Sequence, residues 1–268
     1  TKQLDYDTKE KVFNSGERDE LIVKIVLTHM RDNAVNFIDG SDIKSVGSDK
    51  TNSYARFPKI DPKNIPPMSD QAIQKLAASM GIGKAPVKTK SDVYLNGIGY
   101  SIKSFQKAPP AIVNHTARPG FETACQHSGA VIGTLDQIIN DYWKLRMAGT
   151  IKEDVKVSDA NSPFRYQKNY LKPILNYFLF DGSGSGIYND TAQLILDVVD
   201  PCNCKTWHLL DKSNAVDYLW DRLFMSLRAT KGMPSKYDPQ KHPSVAIWTR
   251  KWQGKHRGAL HVRVGREK

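Results

Sequence analysis

The chain has 268 residues and a formal net charge of +11, from 39 Lys and Arg against 28 Asp and Glu. Hydrophobic residues make up 40% and mean hydropathy is −0.50, a balance that closes a sizeable core and excludes disorder, collagen and coiled coil as whole-chain states. No stretch approaches the roughly 18 apolar residues of a membrane span, and the start TKQLDYDTKEKVF lacks a signal-peptide profile, so a cytoplasmic protein with a polyanionic partner and no membrane is expected.

In chain order, Asn14 or Ser15 caps a helix beginning at Gly16 or Glu17. ERDELIVKIVLTHM is apolar through Leu21, Ile22, Ile25, Val26 and Met30, so this helix is expected to be mostly buried. Residues 39–67 are rich in Gly, Ser, Asp and Pro and read as a long irregular crossing. Residues 69–80 read as a capped amphipathic helix that stops at Gly81 to Gly83.

KSDVYLNGIGYSIKSFQK carries the strongest chemical signal. Asn96-Gly97 is a hairpin turn between Val93–Leu95 and Tyr100–Ile102. With a two-residue loop Leu95 pairs with Ile98 and Asp92 lies opposite Ser101. With a four-residue loop Asp92 lies opposite Lys103. In both registers Asp92, Ser101 and Lys103 share one face, because side chains alternate. Phosphodiester hydrolysis can use such a set: Asp92 to hold Mg²⁺, the Ile102 carbonyl as a further hard oxygen ligand, and Lys103 to orient the attacking water. An ordinary cross-strand Asp/Lys pair accounts for the same spacing.

SFQKAPPAIVNHTARPGFE follows directly and reads as a Pro-broken surface loop. Its hydrogen-bonding residues Ser104, Gln106, Lys107, Asn114, His115 and Arg118 are candidate DNA contacts. Helices are expected at 130–147, 166–180 and 213–228. The glycine-rich FLFDGSGSGIYND has no strand-GxxxxGK[ST]-helix context and reads as a flexible linker. Cys202, Cys204 and His208 in CNCKTWH are too tightly spaced for a zinc site without a fourth ligand. With Cys125 they are read as reduced cysteines.

Residues 228–268 hold eleven Lys and Arg against two acids, which is nine of the net +11. SVAIWTRKWQGKHRGALHVRVG reads as a hairpin, with Leu260, Val262 and Val264 on one face and His261 and Arg263 on the other. Its cationic side and tip, Arg250, Lys251, Gln253, Lys255, His256, Arg257 and Arg263 with Trp248 and Trp252 interleaved, are candidate contacts to phosphates and base edges. A solvated basic edge strand is the plainer alternative. The fold class is α/β or α+β: a mixed central β-sheet flanked by helices, with 1–240 forming a core with helical insertions and 241–268 a basic C-terminal β-hairpin packed on the same domain.

Asp92 followed by Ser101-Ile102-Lys103 resembles the PD-(D/E)xK nuclease core, above all type II restriction endonucleases with an S-x-K variant. GYSIKS followed by APPAIVNHT, the opening Gly16 and Glu20, and the closing LHVRV are similar to its HpaII-type branch. The resemblance lies in short motifs and their order, and the middle third of the chain is outside it. It implies Asp92 as metal-binding aspartate, Lys103 as catalytic lysine and the Ile102 backbone oxygen as ligand. Ser101 stands where the family has a second acid. Glu20 on the first helix is then expected to complete the site as catalytic and metal-binding acid, with Glu17 as the alternative. The implied activity is Mg²⁺-dependent cleavage of double-stranded DNA at a short specific sequence, with Mn²⁺ substituting, no nucleotide cofactor, a prokaryotic cytoplasmic setting, and either a homodimer on a palindromic site or a monomer. A repair or nicking nuclease of the same fold and a non-catalytic DNA-binding protein are the rival expectations.

Overall fold

The computed structural model describes residues 14–86, 88–105, 110–230 and 237–266. In chain order it forms α1 (Ser15–Asp32), β1 (Val46–Gly47), α2 (Asp70–Ser79), β2 (Val93–Leu95), β3 (Ile98–Lys103), β4 (Ala111–Ala117), α3 (Arg118–Ser128), α4 (Ile132–Met147), β5 (Val155–Lys156) and α5 (Lys168–Asn176). There follow β6 (Gly182–Ser183), β7 (Gly186–Ile187), β8 (Leu194–Val198), β9 (Trp207–Leu210), α6 (Ala215–Leu219), β10 (Leu223–Ala229), α7 (Pro243–Ala246), β11 (Arg250–Trp252) and β12 (Lys255–Val264). The class is mixed α and β, as the sequence implied. Among the described residues no helix is long and apolar enough to cross a membrane.

One sheet has the order β1-β2-β3-β8-β9. Its β2–β3 hairpin turns at Asn96 (φ 51°) and Gly97 (φ 81°), with Leu95 opposite Ile98 and Val93 opposite Tyr100. This is the two-residue register, and both turn positions need the left-handed backbone that Asn and Gly tolerate. β8 then pairs parallel to β3, with Lys103 beside Asp197, after a crossover of some ninety residues that holds α3, α4 and α5. Tyr100, Ile102, Leu196 and Val198 pack with α1 and α2 in one core, whereas Ile195 and Leu210 belong to the second core on the opposite face. α1 begins in a capping box: Asn14 Oδ1 accepts Glu17 N–H at 2.9 Å and Glu17 Oε2 accepts Asn14 N–H at 3.4 Å. Its predicted apolar positions are all buried, and so are Val23, Lys24, Leu27 and Thr28.

The other large sheet runs β11-β12-β10-β5, with β4 also on β12. Leu223, Met225 and Leu227 of β10 and Leu260, Val262 and Val264 of β12 fill the second core with Phe121, Leu135 and Trp248. Four expectations are corrected here. Residues 223–229, expected as the end of a helix over 213–228, are β10: Leu223, Met225 and Leu227 alternate with Phe224, Ser226 and Arg228, a period of two. From Ala111 on, the stretch read as a Pro-broken loop is β4 followed by α3, and Pro119 sits in the first helical turn, where a missing N–H costs nothing. The glycine-rich segment is a short hairpin, β6–β7. A side chain on Gly120 would lie 2.9 Å from Gly184 Cα, so α3 and the hairpin touch through glycine. Trp248 is fully buried, with Nε1 donating to Asp136 at 2.7 Å, and does not face solvent among the basic residues. The C-terminal strand β12 lies inside the sheet, between β10 on one side and β4 and β11 on the other.

Candidate active site

Strand alternation and the tight turn bring Asp92 beside Ser101 and Lys103. Asp92 Oδ2 accepts the Ile102 backbone N–H at 2.7 Å and the Ser101 hydroxyl at 3.2 Å, and lies 3.7 Å from Lys103 Nζ. The carboxylate thus stands where a neighbouring strand would have taken the Ile102 N–H. An extended residue points N–H and C=O to the same strand edge, so the Ile102 carbonyl faces the Asp92 side as well. Oδ1 accepts no hydrogen bond from the described residues. Ser101 is fully buried and fixes the carboxylate.

α1 supplies the second acid. Glu20 lines a cleft of about 210 Å³ together with Ile102, Lys103, Ser104, Pro110 and Val198. The cleft opens at the carboxyl ends of the parallel pair β3 and β8, the usual place for a site in such sheets. Burial, and next to it the negative charge of Asp92, raises the Glu20 pKa, against the opposing pull of Lys24 and Lys103. Lys24, fully buried, donates to Glu20 Oε1 at 2.6 Å and to the Gly83 carbonyl at 3.2 Å. Each acid is therefore pinned through one oxygen. Glu17, Asp19 and Glu20 of α1 all line the cleft; Glu17 closes the capping box and pairs with Lys84, and Glu20 is electrostatically joined to Asp92.

The donor set suits a hard divalent cation: two carboxylates, each with one oxygen accepting nothing from the described residues, and a strand carbonyl at the same edge. Among the described residues no group of three or more His, Cys, Asp or Glu that could hold a metal ion forms. Two lysines were not anticipated. Lys24 follows Glu20 by one helical turn, a spacing visible in the sequence although its burial is not. Lys90 precedes Asp92 by two, just ahead of β2. Burial and then the nearby Lys103 push its pKa down to about 8, and its Nζ donates to the Phe178 carbonyl at 2.5 Å.

The remaining candidates separate into two groups. Ser104 lines the cleft with its Oγ buried and unpartnered among the described residues. Gln106 and Lys107 lie outside the described residues. Lys251, Gln253 and Lys255 are exposed around the β11–β12 turn, whose two residues Gln253 (φ 48°) and Gly254 (φ 74°) repeat the left-handed pattern of the first hairpin. Arg250 donates to the Ile247 and Thr249 carbonyls, His256 sits beside Tyr237 at 5.0 Å, and Trp252 is half-buried beneath Arg146 at 5.1 Å.

Arg257 and Arg263 are engaged elsewhere. Arg257 pairs with Glu153 at 2.6 Å, Arg263 with Asp154 at 3.4 Å, and Arg228 with both acids at 2.8 and 2.9 Å. Burial alone would raise the Asp154 pKa, but Arg228 and Arg263 outweigh it and hold the carboxyl below its ordinary value. Arg118, taken from sequence as a DNA contact, is a structural tie: its guanidinium donates to both Asp136 oxygens at 2.7 and 2.8 Å and to Ser244 Oγ at 2.9 Å. Comparison with family models, curated proteins and solved structures finds no match.

Proposed function

We propose that this protein is a divalent-cation-dependent endonuclease that hydrolyses phosphodiester bonds of double-stranded DNA at a short specific sequence. The observation that carries the reading is that Glu20 and Lys103 line one cleft at the ends of two parallel strands, with Asp92 behind them, 3.7 Å from Lys103 Nζ and acting electrostatically on Glu20, and with each acid pinned through one oxygen. A merely structural Asp/Lys pair has no need of a second, desolvated carboxylate beside it, because bringing two carboxylates together without a cation is unfavourable.

Asp92 and Glu20, with the Ile102 carbonyl, would hold Mg²⁺ or Mn²⁺, and the bound cation would supply charge neutralisation at the phosphate. Lys103 orients the attacking water and donates a hydrogen bond from Nζ to the charge that develops on the phosphoryl oxygens. Water oxygen bonds to phosphorus, the bond from phosphorus to the 3′ oxygen breaks, and the attacking water's proton leaves as the 3′ oxygen gains one. Ser101 and the Ile102 N–H keep the Asp92 carboxylate from swinging away from this position. The exposed cations Lys251 and Lys255 hold duplex phosphates away from the chemistry. A twofold pair of chains would match the symmetry of a palindromic site.

The test is supercoiled plasmid incubated with the protein and Mg²⁺. Discrete fragments support the reading, nicked circles alone point to a nicking nuclease of the same chemistry, and binding without cleavage overturns the catalytic claim.

A further inference from the structure

His115 is the one non-glycine residue with a positive φ, at 44°, inside a strand among the described residues; Ala34, Lys88, Asn96 and Gln253 all lie in turns. The cause is a bulge. Leu260 pairs with Thr116 and Val262 with Val113, so two residues of β4, Asn114 and His115, face the single residue His261 of β12. Both extra side chains are exposed, and the His115 ring rests edge-on against His261 with centroids 4.7 Å apart. Left-handed backbone is unfavourable for a residue with a Cβ, and a bulge that aims two polar side chains outward while straining one of them has no packing return.

The bulge also lies on the strand that leaves the cleft. Pro110 lines the cleft and β4 starts at Ala111. At about 3.3 Å per residue, Asn114 and His115 sit roughly 13–17 Å along that strand. That spans a few base-pair steps of a duplex whose phosphate occupies the cleft.

We propose that Asn114 and His115 are base-reading residues, presented to a groove of duplex DNA by the β4 bulge, with His261 as the residue that positions the His115 ring. Asn matches the paired donor and acceptor of adenine, and a histidine ring nitrogen can donate to guanine N7 or O6. The inference rests on the proposed DNA-directed function, and it concerns recognition, which is separable from cutting.

The experiment is selection of bound duplexes from a randomised DNA pool in Ca²⁺, followed by sequencing, for wild type, Asn114→Ala, His115→Ala and His115→Gly, with thermal unfolding of each. Wild type is expected to enrich a short consensus, and each variant to lose preference at one or two positions by about tenfold or more, one good bidentate contact's share. His115→Gly relieves the left-handed backbone, so its Tm is expected to stay level or rise by about 2 °C while selectivity falls. A residue with only a structural role does not separate the two readouts in that direction. His261→Leu is expected to weaken the same base preference as His115→Ala, with no additional loss in the double variant. The proposal is overturned if wild type enriches no consensus, if the variants enrich an unchanged one, or if His115→Gly loses stability and selectivity together. Wild type that selects a consensus yet leaves plasmid intact in Mg²⁺ overturns the nuclease reading and keeps this one.

Discussion

Replacing Asp136 by alanine decides between two roles for Arg118, DNA contact and internal tie. In the fold Asp136 accepts three hydrogen bonds, from Arg118 Nε at 2.7 Å, Arg118 Nη2 at 2.8 Å and Trp248 Nε1 at 2.7 Å. The Arg118 side chain is only 10% exposed. Breaking a buried ion pair from one side costs about 3–5 kcal/mol, because the remaining charge is left desolvated. Arg118 would keep Ser244 at 2.9 Å and Glu122 at 3.6 Å, which places the loss for Asp136→Ala at the lower end, about 3 kcal/mol. For a domain of this size that is a fall in Tm of roughly 6–12 °C. The double variant Arg118→Met with Asp136→Leu removes both charges and is expected to recover the part of the loss due to the stranded guanidinium, with the Trp248 Nε1–H still left without its acceptor. Calorimetry reads the stability, and a salt titration of DNA binding below the transition reads the contact. A loss under 1 kcal/mol, or a reduced salt slope for the folded double variant, would refute the internal tie.

Asp92→Asn keeps an acceptor for the Ile102 N–H and is expected to hold Tm within a few degrees while abolishing Mg²⁺-dependent cleavage. Asp92→Ala leaves that N–H and the Ser101 hydroxyl unpaired and should also lose about 1–3 kcal/mol, read by denaturant unfolding. Lys251→Ala with Lys255→Ala should lower the slope of log affinity against log salt by up to about 2 with Tm unchanged, because both side chains are exposed. Arg257→Ala should do the reverse, since its charge is held by Glu153 at 2.6 Å. The folded pKa of Asp154 lies below its ordinary value, so its ionised form stabilises the fold above the unfolded pKa of about 3.9 and that contribution is lost as pH falls through the lower folded value. Asp154→Asn should therefore flatten the acid limb of a stability–pH curve below about pH 4 and leave its neutral region nearly parallel to wild type.

The hairpin that carries Asp92 and Lys103 could be read from sequence because every cue in it is local: Asn-Gly fixes the turn, and the turn fixes which residues share a face. The first helix was legible for the same reason. Asn14 and Glu17 stand three apart as a capping box does, so the helix-end role of Glu17 is visible in the sequence as well. The end of the 213–228 segment was misread because Leu219 and Leu223 continue a helical spacing into a stretch whose own period is two. What no local pattern announces is long-range: β8 arriving beside β3, the bulge that strains His115, and the acids Glu153 and Asp154 that absorb the charge of Arg228, Arg257 and Arg263. The basic count of the last 41 residues therefore overstated the free charge there, and among the described residues its exposed cations include Lys251 and Lys255 at the β11–β12 turn.

The measurement closest to the central claim is cleavage of plasmid DNA by wild type and by Glu20→Gln, Asp92→Asn and Lys103→Ala, each shown to be folded, in Mg²⁺ and in EDTA. Discrete fragments are expected from wild type in Mg²⁺, none in EDTA, and at least a hundredfold loss of rate in each variant with DNA binding retained. Cleavage that survives EDTA, or normal turnover by Asp92→Asn or Lys103→Ala, would contradict the claim.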